Sequence, residues 1–153
     1  MATVFNSPKD LAAAVGKQLG HSDWIEITQD RINKFADATG DHQWIHVDVE
    51  RAKRESPFKQ PIAHGYLTIS LAPVSLPQVV RVEGVRMAVN YGLESMRLPA
   101  PVPSGARVRM SAELKDVRDM SGGGARVTFG MVFEVEGGGK PACIADAIYV
   151  YYP

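Results

Sequence analysis

Hydrophobic and polar positions change period half-way along the chain. In the first half, Ile32, Phe35, Ala36 and Thr39 fall at i, i+3, i+4 and i+7, one face of a 3.6-residue repeat. Thr28 stands before them as an N-cap and Gly40 behind them as a stop, which predicts a helix between the two. Ser7-Pro8 places a cap before a proline, and the Ala-rich run Leu11 to Leu19 predicts an earlier helix that Gly20 ends. Between the two helices, Trp24, Glu26 and Thr28 alternate with Ile25 and Ile27, the pattern of one short strand. A charged helix is expected over Val49 to Glu55, stopped by Ser56-Pro57 because a residue before proline avoids the helical region. From Gly65 to Ala72 the apolar side chains point to nearly every side, which predicts a buried helix that Pro73 ends or kinks.

In the second half the period falls to two. Arg126, Thr128, Gly130, Val132, Glu134 and Glu136 alternate with Val127, Phe129, Met131, Phe133 and Val135, as in an antiparallel strand with one buried face. Further strands are expected over Val85–Leu93, Ala106–Val117 and Ala142–Tyr151, with the alternating one over Ala125–Glu136. The clusters Pro99 to Pro103, Ser121 to Gly124 and Gly137 to Gly139 separate them as turns. Helices first and strands later give an α+β fold, an antiparallel sheet covering a buried helix. No repeat or dividing linker interrupts the chain, so residues 1–153 are expected to form a single domain.

Composition narrows the functional classes. Seventeen basic and seventeen acidic side chains cancel, and they divide evenly between the halves, which excludes a general polyanion binder. A hydrophobic fraction of 45% argues against disorder. The single cysteine, Cys143, cannot form an intramolecular disulfide and is expected in the core. Met1 to Asp10 lacks the pattern of a signal peptide and no apolar run reaches 18 residues, so no membrane contact and a cytoplasmic location are expected.

Two stretches hold the candidate chemistry. Gly40-Asp41-His42-Gln43-Trp44-Ile45-His46-Val47-Asp48 puts two His and two Asp into nine residues between helices. Asp48 directly precedes a helix and reads as its N-cap. Asp41 and His46 can face one point only if the chain between them forms a compact turn: extended they stand roughly 17 Å apart, and on one helix about 140° apart. His42 and His46 have the i, i+4 spacing of a helical zinc pair, but Gln43 stands where the metalloprotease pattern needs Glu. In the second stretch, Pro61-Ile62-Ala63-His64-Gly65-Tyr66-Leu67-Thr68-Ile69-Ser70, Gly65 opens a helix whose free N–H groups suit an oxygen developing negative charge; close packing is the alternative reason for a glycine there. Ser70 lies inside that helix, where a hydroxyl commonly bonds the i−4 carbonyl. Glu136 to Pro141 lacks the full phosphate-loop pattern and reads as a hairpin, and the five arginines between Arg81 and Arg109 read as a solvated sheet face.

The two stretches together, from Phe35 to Asp48 and from Pro61 to Thr68, resemble the MaoC-like dehydratases, or (R)-specific enoyl-CoA hydratases. The likeness continues through Asn90-Tyr91-Gly92-Leu93, Arg97 to Pro103 and Lys140 to Cys143, nearly the whole chain. It implies a hotdog fold, a long central helix wrapped by an antiparallel sheet, and a homodimer. It implies reversible addition of water to a trans-2-enoyl thioester of CoA or carrier protein, giving the (R)-3-hydroxyacyl product, without cofactor or metal. Asp41 and His46 match the catalytic pair and Gly65 the donor to the thioester carbonyl; Ser70, Gln43, His64 and Asn90 complete the expected binding set. Gln43-Trp44 replaces the Asn-Pro of many members. A hotdog thioesterase and a non-catalytic acyl-thioester-binding subunit are the alternatives; residues 65 to 76 carry no Asp or Glu, the usual thioesterase base.

Overall fold

The computed structural model describes all 153 residues. Its elements in chain order are β1 (Thr3–Phe5), a 3-10 turn (Pro8–Ala14), β2 (Gln18–His21), β3 (Ile25–Glu26), α1 (Gln29–Thr39), α2 (Trp44–Val47) and α3 (Val49–Glu55). After these come α4 (Gly65–Ser70), α5 (Ala72–Val79), β4 (Val80–Val82), β5 (Met87–Arg97), β6 (Arg107–Asp119), β7 (Ala125–Val135) and β8 (Cys143–Tyr152). The main sheet runs β2-β6-β7-β8-β5, with β3 also on β6, and its pairs are antiparallel. β1 and β4 pair in parallel as a separate small ribbon.

Local chemistry sets most of these boundaries. The Thr28 hydroxyl accepts from the Arg31 N–H, and Gly40 closes α1 at φ 82°, a left-handed cap open to glycine. Asp48 caps α3 by accepting from the Arg51 N–H at 3.0 Å. The alternation in β7 is realised in full: Val127, Phe129, Met131 and Phe133 are buried. They share one hydrophobic core with Leu67 of α4, Leu76 of α5 and Leu71 between the two helices. Cys143 lies in that core as a free thiol, and burial raises its pKa to about 11. No helix is long and apolar enough to cross a membrane.

Several expectations need correction. The helix over Leu11 to Leu19 stops at Ala14, and Gln18–His21 becomes an edge strand on β6, because sheet pairing outweighs the helix propensity of this short run. Gly20 therefore sits within a strand rather than ending a helix. The central helix is longer than Gly65 to Ala72 and is broken at Leu71 into α4 and α5, so at Pro73, near the start of α5, the helix is interrupted rather than ended, the second of the two expected outcomes. It is also not buried on every side, since Tyr66 is 70% and Val74 55% exposed. The first long strand extends past Leu93 to Arg97. The five arginines do not share one sheet face: Arg107 and Arg109 pair with Glu136 and Glu134 across β6 and β7, whereas Arg81 lies on the separate β4 ribbon and Arg97 on β5 at the other edge of the sheet.

Candidate active site

The compact turn that Asp41 and His46 require is present. Gly40 turns the chain out of α1, the Asp41 carboxylate accepts from the Gln43 N–H at 3.3 Å, and the single turn of α2 follows. That turn puts His46 on its inner side, 7% exposed, while Asp41 stays open to solvent. Gln29, in the first turn of α1, fastens α2 by donating to the His46 carbonyl at 2.7 Å.

The second stretch meets the first through backbone bonds. The Ile62 N–H donates to the Ile45 carbonyl and the Ala63 N–H to the Val102 carbonyl, so residues 62–63 are clamped between α2 and the Pro99–Pro103 turn. The His46 Nδ1–H donates to the Ile62 carbonyl at 2.7 Å, which leaves Nε2 as the free, basic nitrogen. His64 is 2% exposed and stacks on His46, ring centroids 3.9 Å apart. A carboxylate oxygen of Asp41 and a ring nitrogen from each histidine lie within 4.8 Å of one another. Burial lowers the pKa of His46 first of all; the Ile62 carbonyl raises it, His64 lowers it and Asp41 raises it. The ring is thereby biased toward its neutral form.

Beside this cluster lies a cavity of about 330 Å³, lined by His46, Phe58, Ile62, Ala63, Gly65, Thr68, Leu98, the Pro99–Val102 segment and Ala142. Gly65 opens α4 on its wall, and neither its N–H nor that of Tyr66 is engaged within the chain. A Cβ at Gly65 would collide with Leu98, which would have to swing away. The arrangement thus offers a base, a carboxylate and free N–H donors around one mostly apolar space.

The remaining expected residues separate from this cluster. His42 pairs with Asp37 in solvent, away from His46, so the i, i+4 zinc spacing does not form a site. Gln43 is an exposed residue at the start of α2. Ser70 donates to the Tyr66 carbonyl at 2.5 Å and lines a different groove with Asn90 and Tyr149. The hydroxyl residue that does line the cavity is Thr68, three residues after Gly65 and on the same helix face. Sequence reasoning passed over Thr68 and treated Pro99 to Pro103 only as a turn; the i, i+3 spacing from Gly65 was the available signal for Thr68.

The MaoC like domain matches residues 10–132. The chain belongs to the MaoC-like dehydratase family. It is 52% identical over 147 residues to 3-hydroxyacyl-thioester dehydratase Z of Mycobacterium tuberculosis, covering 96% of this chain and 97% of that one. Among solved structures, the monoamine oxidase regulatory protein of Archaeoglobus fulgidus superposes with a TM-score of 0.78 at 25% identity, covering 100% of this chain and 99% of that one. An (R)-hydratase of Pseudomonas aeruginosa gives a TM-score of 0.68 at 22% identity over 90% of this chain and 81% of that one. The fold is the hotdog fold shared by these MaoC-like proteins.

Proposed function

We propose that the protein is a hydro-lyase, an (R)-specific enoyl-CoA hydratase and 3-hydroxyacyl-thioester dehydratase, acting as one hotdog domain over residues 1–153. The observation that carries this reading is the juxtaposition of Asp41 and His46, whose Nε2 is free, beside a cavity that Gly65 opens onto. The 52% identity to a 3-hydroxyacyl-thioester dehydratase supports it.

The chemistry follows from charge. Water adds to the electrophilic C3 of a 2-enoyl thioester, so negative charge builds on the thioester oxygen. His46 takes a proton from that water as Asp41 orients it, and the pair returns a proton to C2. The Gly65 N–H bonds the thioester oxygen, an effect worth about 3–4 kcal/mol at comparable sites. Positioned acid–base groups contribute about 10²–10⁴-fold. Hydrolysis would need water aimed at C1, and residues 65–79 offer no carboxylate to aim it.

Supplying crotonyl-CoA should bleach the ultraviolet band of the conjugated thioester without releasing free thiol. Butyryl-CoA, with no electrophilic C3, should be inert. Thiol release from butyryl-CoA that His46→Gln abolishes would make the protein a thioesterase instead.

The working form we propose is a homodimer in the cytoplasm. β5 has one unpaired edge, and its Met87, Val89, Tyr91 and Leu93 are all exposed, as are Tyr66 and Val74 of the central helices. A cytoplasmic location fits a lone, buried thiol. Light scattering at micromolar concentration should give the dimer mass; a monomer mass would count against it.

A further inference from the structure

His64 belongs to the expected binding set, yet its surroundings suit a different task. Two rings contact it, His46 stacked on it and Phe35 tilted toward it at 4.9 Å, and it is all but closed to solvent. Its Nε2 lies 2.9 Å from the Asp41 backbone carbonyl, an oxygen that can only accept, so Nε2 carries a proton and donates. The Asp41 carboxylate stands farther off, 4.0 Å from the same nitrogen. Nδ1 is buried with no partner.

That orphan nitrogen is informative. A phenyl ring in the same slot would pack against Phe35 and His46 without burying an unpaired polar atom. The polar ring therefore answers to the bond it makes, which fixes the backbone of Asp41. No other side chain holds that carbonyl. The stacking reaches the second partner, since the His64 ring lies against a face of the His46 ring, which the Ile62 carbonyl already holds through Nδ1.

Resting on the hydratase reading above, we propose that His64 is a positioning residue: one ring nitrogen holds the Asp41 main chain, one ring face holds the His46 imidazole, and the two reacting groups are thereby kept at a fixed separation. His64 need not touch substrate for this. The groups facing His46 are His64 and the Asp41 carboxylate among side chains, and the Ile62 carbonyl from the backbone. Among these neighbours His64 lowers the pKa of His46, while the Ile62 carbonyl and Asp41 raise it.

The test compares His64→Phe with His64→Gln. The phenylalanine keeps the stacked ring and loses the donor; the glutamine loses the ring and keeps an N–H at the same number of bonds from Cβ. With crotonyl-CoA, His64→Phe should lose about 10²-fold in kcat, the cost of a misplaced reacting group, while KM stays within about twofold. His64→Gln should recover at least about tenfold of that loss by restoring the donor to Asp41. Its acid limb, and the NMR titration of His46, should move to higher pH. Equal kcat in the two variants, whether full or lost, overturns the proposal. If His64→Phe does not fold, His64→Leu, which fills the slot and lacks the donor, takes its place: a kcat loss well beyond that of His64→Gln supports the proposal and an equal kcat overturns it. Lack of hydration by the wild-type protein would overturn the hydratase reading instead, and the NMR comparison would still judge the coupling.

Discussion

The two sides of α4 carry similar residue types and face different surroundings. On one side Gly65 and Thr68 face a cavity that ends at a buried histidine. On the other, Ser70 faces a groove of about 380 Å³ with Asn90, Tyr91 and Tyr149. Ser70 stands about 140° around the helix from Gly65, so one helix cannot present both to one reacting atom. The first side has unengaged N–H groups and a basic nitrogen; the second has a hydroxyl already spent on the Tyr66 carbonyl and mostly apolar walls. The groups suited to chemistry therefore gather on the Gly65 side, which is where the proposed reaction is placed.

The sharpest way to break this contrast is to remove the acid–base pair. Asp41→Asn and His46→Gln should each cut crotonyl-CoA hydration by at least about 10²-fold with folding retained, as judged by circular dichroism. The double variant should lose little more than either single one, because the two act as a unit. Near wild-type turnover in either would remove the pair from the mechanism.

Next in size comes Gly65→Ala. It keeps the N–H, but its methyl group displaces Leu98 from its place against Gly65. A loss of about 10–10²-fold in kcat/KM is expected from the disturbed approach to the helix start. Adding Leu98→Ala should restore part of it by making room; no restoration would mean that the glycine is needed for another reason.

The hydroxyls then weigh the two sides against each other. Thr68→Val removes a polar group from the cavity wall, whereas Ser70→Ala removes only an i−4 bond in the helix. Ser70→Ala should cost no more than about tenfold in kcat, as expected of a group that only orients, and Thr68→Val should cost more. The reverse order in steady-state assays would move the working side of α4 to the groove.

The smallest effect is on stability. In the fold the pKa of His46 lies below its ordinary 6.5, burial being the main cause. The unfolded chain then takes up this proton first, so the histidine's contribution is present above pH 6.5 and is lost as pH falls through its lowered value. Exposed His42, raised by its bond to Asp37, has the opposite sign: its contribution is present below 6.5 and lost as pH rises through its raised value. Thermal melts should therefore show Tm falling below neutral pH, less so in His46→Gln. An identical slope in that variant would assign the fall to other groups.

Much of this was legible without coordinates. Thr28, Gly40 and Asp48 mark helix ends by local chemistry, and each does so in the fold. The β7 alternation, with one face polar, announced its buried face because side chains in a strand change sides at every residue. The need for a turn between Asp41 and His46 followed from helix and strand dimensions alone. Resemblance supplied the pairing of the two stretches, which spacing did not.

What the tertiary structure decided concerns contacts between segments far apart in sequence. Gln18–His21 is a strand because β6 offers a free edge, whatever its local preference. Thr68 rather than Ser70 reaches the cavity because α4 is oriented by Leu67 and Leu71 in the core. His64 meets both Asp41 and His46 because residues 62–63 are clamped between Ile45 and Val102. Propensities and periods act within a few residues, so they locate the elements and the reactive side chains. Which ring stacks on which, and which helix face looks into the cavity, depends on packing across the whole domain.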